Sequence, residues 1–179
     1  MHHRKKTKFN HQKVISFFIS ISCLCFIFFT LNACVSVDIK QKPGKKSDQF
    51  QMKEPALPFE TMKTDYVDYA WKDYATDTMI SVYSECKENQ TTNLQQIERE
   101  AMQSLSHSQV ISSESIAYNE RGSLLTIASG DIDGVPMKVK MLTISKNFCN
   151  YTLMYSSKEE RFDKLIKYFD KFILDFHIL

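Results

Sequence analysis

The dipeptide Asp133-Gly134 lies inside a stretch, residues 110–155, where apolar and polar residues alternate. Asp-Gly favours the positive backbone angles of a two-residue hairpin turn, so the runs on either side are expected to pair antiparallel. Strands are expected over 110–118, 124–132, 137–145 and 149–155. Residues 119–122 and Lys146-Asn147 supply the other turns. Consecutive strands joined this tightly form an antiparallel meander.

Upstream, residues 66–74 are aromatic and β-like. Residues 79–86 read as a strand with Ile80, Val82 and Cys86 on one face. Thr92 and Gln95 then stand in capping-box spacing. Leu94, Ile97, Ala101 and Leu105 recur at three and four residues, with Glu98, Arg99 and Glu100 between them. This predicts an amphipathic helix with one buried stripe. Ser157 and Glu160 form a second box, ahead of a helix whose face carries Phe162, Leu165, Ile166, Phe169, Phe172, Ile173 and Phe176. An aromatic stripe at helical spacing packs on a sheet. The mixed charges of this helix argue against its lying on a membrane. The whole reads as α+β: an antiparallel β-sheet of about five to six strands packed by two helices.

This order resembles the PsbP-like domain, and more closely the small bacterial lipoproteins of that shape. The resemblance rests on Trp71 before the first core strand and Ser84-Glu85-Cys86 at that strand's end. It also rests on the hairpin Asp131-Ile132-Asp133-Gly134-Val135-Pro136-Met137-Lys138, on Cys149-Asn150-Tyr151, and on the Phe-rich final helix. It spans about 71–176 and implies an α/β sandwich. It implies nothing about activity.

The N-terminus has a different character. Arg4, Lys5, Lys6, Lys8 and Lys13 precede an apolar run over 14–29, with no Asp or Glu among them. Basic flank, short apolar stretch and small Ala33 fit a secretory signal, whose charged end stays cytoplasmic. Leu31-Asn32-Ala33-Cys34 resembles the lipobox of bacterial lipoproteins, with Asn32 departing from the usual small residue. The resemblance implies cleavage before Cys34 and lipid on its sulfur. The alternative is an uncleaved anchor helix over about 14–35. Val35, where Asp would retain a lipoprotein at the inner membrane, points to the outer membrane of a two-membrane cell, facing the periplasm. Three segments are therefore expected: a signal peptide (1–33), a lipidated Cys34 with a flexible tether (34–63), and the α+β domain (64–179). The tether reading rests on Pro43, Pro55, Pro58 and scattered charge.

Without residues 1–33 the chain carries 18 Lys and Arg against 21 Asp and Glu, a net charge of −3. A mildly acidic domain lacks the basic face that nucleic acid requires. Cys86 and Cys149 remain as a pair in an oxidising compartment, and a disulfide between them is expected. Two buried thiols are the alternative, decided by geometry.

No motif fixes a reaction. His107 and His177 have no neighbours at metal-ligand spacing, so no metal site is expected. Asp131 and Asp133 read as turn residues, although two carboxylates can do acid–base work. Lys138 and Lys140 share a strand face, too few charges for an anion surface. Four glycines leave no phosphate-cradling loop. The expectation is a non-enzymatic binding or accessory domain without cofactor, held on the membrane by lipid, with an envelope protein as partner. The alternative is a carrier or sensor of an apolar molecule or lipid, in a cavity between the sheet and the Phe-rich helix.

Overall fold

The computed structural model describes residues 45–87 and 93–179. The leader, Cys34 and the capping Thr92 lie outside the described residues.

Among the described residues nine strands and two α-helices follow in the order β1 (Phe50–Gln51), β2 (Glu60–Thr61), β3 (Tyr69–Asp73), β4 (Thr78–Cys86), α1 (Leu94–Ala101), β5 (Ser106–Tyr118), β6 (Arg121–Ile132), β7 (Val135–Lys146), β8 (Cys149–Lys158), α2 (Phe162–Leu174) and β9 (His177–Ile178). Seven strands make one sheet in the order β2-β3-β4-β8-β7-β6-β5; β1 and β9 form a separate ribbon. Every pairing is antiparallel. The expected meander is β5 to β8. The strand beyond the expected five to six is β2, two residues that pair with Trp71 and Lys72 at the sheet edge.

Each meander hairpin turns on two residues of positive φ: Asn119 and Glu120, Asp133 and Gly134, Asn147 and Phe148. Their pairs close at Tyr118↔Arg121, Ile132↔Val135 and Lys146↔Cys149. This is the backbone that matches strand twist, and Gly134 adopts it without a Cβ clash.

Alternation along the strands divides the core between two faces. On one face Phe162, Phe169 and Phe172 of α2, with Phe176 just after it, pack onto Trp71, Leu142, Tyr151 and Tyr155, all of them buried. The Tyr155 hydroxyl donates to the Phe162 carbonyl at 2.7 Å. Burial of such side chains contributes about 1.5–3 kcal/mol each. On the other face Met102 and Leu105 pack on Ala128, Val139 and Met141.

Three details differ from the sequence reading. First, the stripe of α1 is rotated. Glu98 is buried while Leu94, Ile97 and Ala101 are half-buried, and the helix ends at Ala101 in a 3-10 turn. Its cap is Asn93, whose side chain accepts from the Gln95 N–H. Second, Ser157 does not cap α2. It stays in β8, paired with Lys138, and its hydroxyl meets that of Thr78 at 3.1 Å. A 3-10 turn over Glu159–Arg161 intervenes before the helix. Third, much of the span read as tether belongs to the domain. Lys45 O accepts from Cys86 N at 2.8 Å and Gln49 O from Leu179 N at 3.0 Å. Phe50 stacks on Phe176, and Phe59 is buried against Tyr168. Single aromatic residues among prolines anchor this segment, and they leave no periodic pattern to read.

Cys86 and Cys149 face each other in adjacent strands and are joined by a disulfide, with Cα atoms 4.0 Å apart. Closing a 63-residue separation stabilises by roughly 4 kcal/mol on the chain-entropy account.

Candidate functional site

A concavity lies beside α1, on the sheet face away from α2. The helix sits over β6 and β7 because Glu98, Met102 and Leu105 fasten it there. It therefore stops short of covering β4 and the end of β8. A groove of about 500 Å³ results. Its floor is Met79, Ser81 and Tyr83 of β4 with Thr152 and Met154 of β8, where Ser81 faces Met154 and Tyr83 faces Thr152. Ile97 and Ala101 of α1 form one wall, Tyr66 and Val67 the other.

The lining is mostly apolar with a few polar groups, the usual make-up of a ligand site. Two thioethers, Met79 and Met154, give walls that adapt to an irregular occupant. Asn150 Oδ1 at one end is buried and accepts no hydrogen bond among the described residues. A buried acceptor left without a donor is costly, and an occupant carrying an N–H or O–H would relieve it. Lys87 and Glu85 form a 2.8 Å ion pair beside the groove. The hydrogen bond to Glu85 raises the Lys87 pKa. Burial pushes the Tyr83 phenol up, helped by the Glu85 charge, and it stays neutral at physiological pH.

The residues weighed for chemistry lie elsewhere. His107 Nδ1 is 3.2 Å from Asp131 Oδ2 at an exposed bulge, a pairing that sequence spacing did not suggest. Their separation of 24 residues is bridged only by the β5–β6 register, which sets Ser106 opposite Asp131. Cys149 is held in the disulfide. Asp133 occupies the hairpin turn. His177 is exposed, 3.5 Å from Asn119 Oδ1. Lys138 lies over the Phe162 ring at 4.7 Å and Lys140 pairs with Asp170 at 2.6 Å, so both are engaged by α2 or the turn before it. Among the described residues, no three His, Cys, Asp or Glu side chains cluster as metal ligands. No described helix is long and apolar enough to cross a membrane.

The space expected to form a cavity under the Phe-rich helix is filled by aromatic side chains: Phe169 and Phe172 of α2, Phe176 just after it and Trp71 of β3 are each at most 2 % exposed. The groove lies on the opposite face. The sequence carried one signal for it: Met79, Ser81, Tyr83 and Thr152, Met154 are the alternate positions of two strands, too apolar for a solvated face.

No protein-family model matches the chain, and no curated protein matches it in sequence. Solved structures do match. The solution structure of cyanobacterial PsbP (CyanoP) from Synechocystis sp. PCC 6803 superposes with a TM-score of 0.53 at 17% identity, covering 84% of this chain and 99% of that one. LpqN, described as involved in cell envelope biogenesis of Mycobacterium tuberculosis, superposes with a TM-score of 0.53 at 10% identity, covering 78% of this chain and 87% of that one. At such identities the likeness is one of architecture, and the architecture of this chain is the PsbP-like α+β fold.

Proposed function

We propose that this chain is an outer-membrane lipoprotein, anchored through lipid on Cys34 and facing the periplasm. Its domain is a non-enzymatic accessory module that holds an envelope protein in the groove beside α1. The groove carries the reading: its lining is mostly apolar, and it is rimmed by Tyr66, which is 90% exposed. An exposed rim aromatic next to an apolar floor suits a protein segment. The N-terminal pattern around Cys34 supports the anchor, and the involvement of LpqN in cell envelope biogenesis fits the setting. Because the chain joins the fold by Lys45, no more than ten residues, 35–44, separate it from Cys34. That length holds the domain within ~40 Å of the bilayer.

A second reading is favoured by Met79, Met154 and Ile97: the groove takes the apolar part of a lipid or small molecule. A photo-reactive amino acid at position 154 of the full chain, irradiated in native membranes, separates the two. A discrete protein adduct, absent when the probe sits at exposed position 174, supports the partner. Adducts of lipid mass alone support the second reading, and no adduct at position 154 contradicts both.

A further inference from the structure

We propose that the outer edge of β5 is a self-association surface, where a second copy of this chain adds its own β5 antiparallel about Ser115. β5 is the terminal strand of the seven-stranded sheet and thirteen residues long. Its first part is broken by register shifts between Ser106 and Gln109 and between Val110 and Ser112. From Ser112 to Tyr118 its pairing with β6 is regular. Tyr118 and Arg121 close the two-residue turn, so they form a hydrogen-bonded pair. Alternation then points Ile116, Glu114 and Ser112 toward β6. It turns the N–H and C=O of Ser113, Ser115 and Ala117 outward. No described segment hydrogen-bonds to these outward groups.

Exposed edges are ordinarily blunted by shortness, Lys or Pro. The opposite edge obeys this, since β2 is two residues long. The regular half of β5 has no Lys or Pro and one charge, Glu114. Its outward-bonding residues are small, and all three are exposed.

Ser115 is the midpoint of that regular run. A two-fold axis through it, perpendicular to the sheet, sets Ser115 opposite Ser115 of the partner subunit and Ser113 opposite Ala117 of the partner subunit. Glu114 then faces Ile116 of the partner subunit. Paired residues share a sheet face, so both copies of α1 fall on one side of the joined sheet and both copies of α2 on the other. An axis through Glu114 would set two carboxylates against each other. One through Ser113 would run the pairing into the break at Val110 and Ser112. The register about Ser115 avoids both.

The test is oxidative cross-linking of the full chain in native membranes. In the Ser115→Cys variant the two thiols sit on a hydrogen-bonded pair, with Cα atoms about 5.5 Å apart, within bridging range. In Ala117→Cys they are four residues out of step, about 13 Å apart. The expected result is a disulfide-linked dimer through position 115 at least tenfold above that for position 117. Equal cross-linking of the two variants, none at position 115, or a bridge from 115 to a different protein overturns the proposal. In the otherwise unaltered chain, Ser115→Pro removes an outward N–H without touching the β6 ladder. It should abolish the two-copy species seen with an amine-reactive cross-linker; an undiminished two-copy species likewise overturns it.

Discussion

Ser47 Oγ lies 2.9 Å from the Tyr151 hydroxyl, joining the first described segment to the middle of the sheet across 104 residues. Ser47 N also donates to Ser84 Oγ at 2.9 Å, and Ser84 in turn donates to Asp68 Oδ2 from its N–H at 2.7 Å and its hydroxyl at 2.6 Å. Lys46 Nζ sits 3.2 Å from the other carboxylate oxygen. The segment entering the domain is thus latched by a half-buried polar network centred on Asp68, whose side chain is only 5% exposed.

Asp68→Ala should release that latch. Hydrogen bonds to a charged acceptor contribute about 1.5–3 kcal/mol, and the Ser84 N–H would lose its partner. Denaturant unfolding should show a loss of about 2–3 kcal/mol. Amide exchange over residues 45–51 should rise while the β6–β7 ladder stays protected. Unchanged exchange at 45–51 would mean that Phe50 stacking alone holds the segment.

Glu98 fastens α1. Its carboxylate accepts from the Ser113 hydroxyl at 2.8 Å and from the hydroxyl of Thr126, which is fully buried. Glu98→Ala strands that hydroxyl and should cost about 1–3 kcal/mol. Glu98→Gln, which keeps an acceptor, should cost less. Equal losses in thermal or denaturant unfolding would show that packing, and not the hydrogen bonds, holds the helix.

The Tyr118 hydroxyl donates to the Ile173 and Phe176 carbonyls at the end of α2, while Asn119 Nδ2 reaches the latter at 3.3 Å. Burial pushes the Tyr118 pKa up to about 12. The neutral phenol is therefore favoured in the folded state. Its contribution is complete below the unfolded tyrosine pKa near 10 and is lost as pH rises toward about 12. Stability should fall through that window, and Tyr118→Phe should flatten the fall while costing about 1–2 kcal/mol at neutral pH. An equally steep fall in the variant would assign the effect to other groups.

Phe148 holds φ +62° in the last hairpin and is 62% exposed. A non-glycine residue there is strained by about 1 kcal/mol. Phe148→Gly should therefore raise stability by roughly that amount, read as a higher unfolding midpoint. A loss instead would show that the ring makes a stabilising contact.

The legible parts of the fold were those with a period. Alternation over 110–155 and the Phe162–Phe176 spacing placed the meander and its covering helix, because sheet and helix each bury one regular face. The Cys86–Cys149 pair followed from compartment and count, and strand register then set the two opposite each other. What was not legible depended on contacts between distant residues. Glu98 reads as a solvated charge until Ser113 and Thr126 are brought beside it. Phe50 and Phe59 are lone apolar residues that meet Phe176 and Tyr168, each more than a hundred residues away. The groove exists because α1 is fastened over β6 and β7, and no local pattern encodes where a helix stops short.

The intact mass of the protein extracted from native membranes, with and without reductant, tests the account at its base. A chain beginning at Cys34 with added acyl mass, and without alkylatable thiols until reduction, is the result the account predicts. A chain retaining residues 1–33, or one beginning at Cys34 without acyl mass, would contradict the lipid-anchored envelope module proposed here.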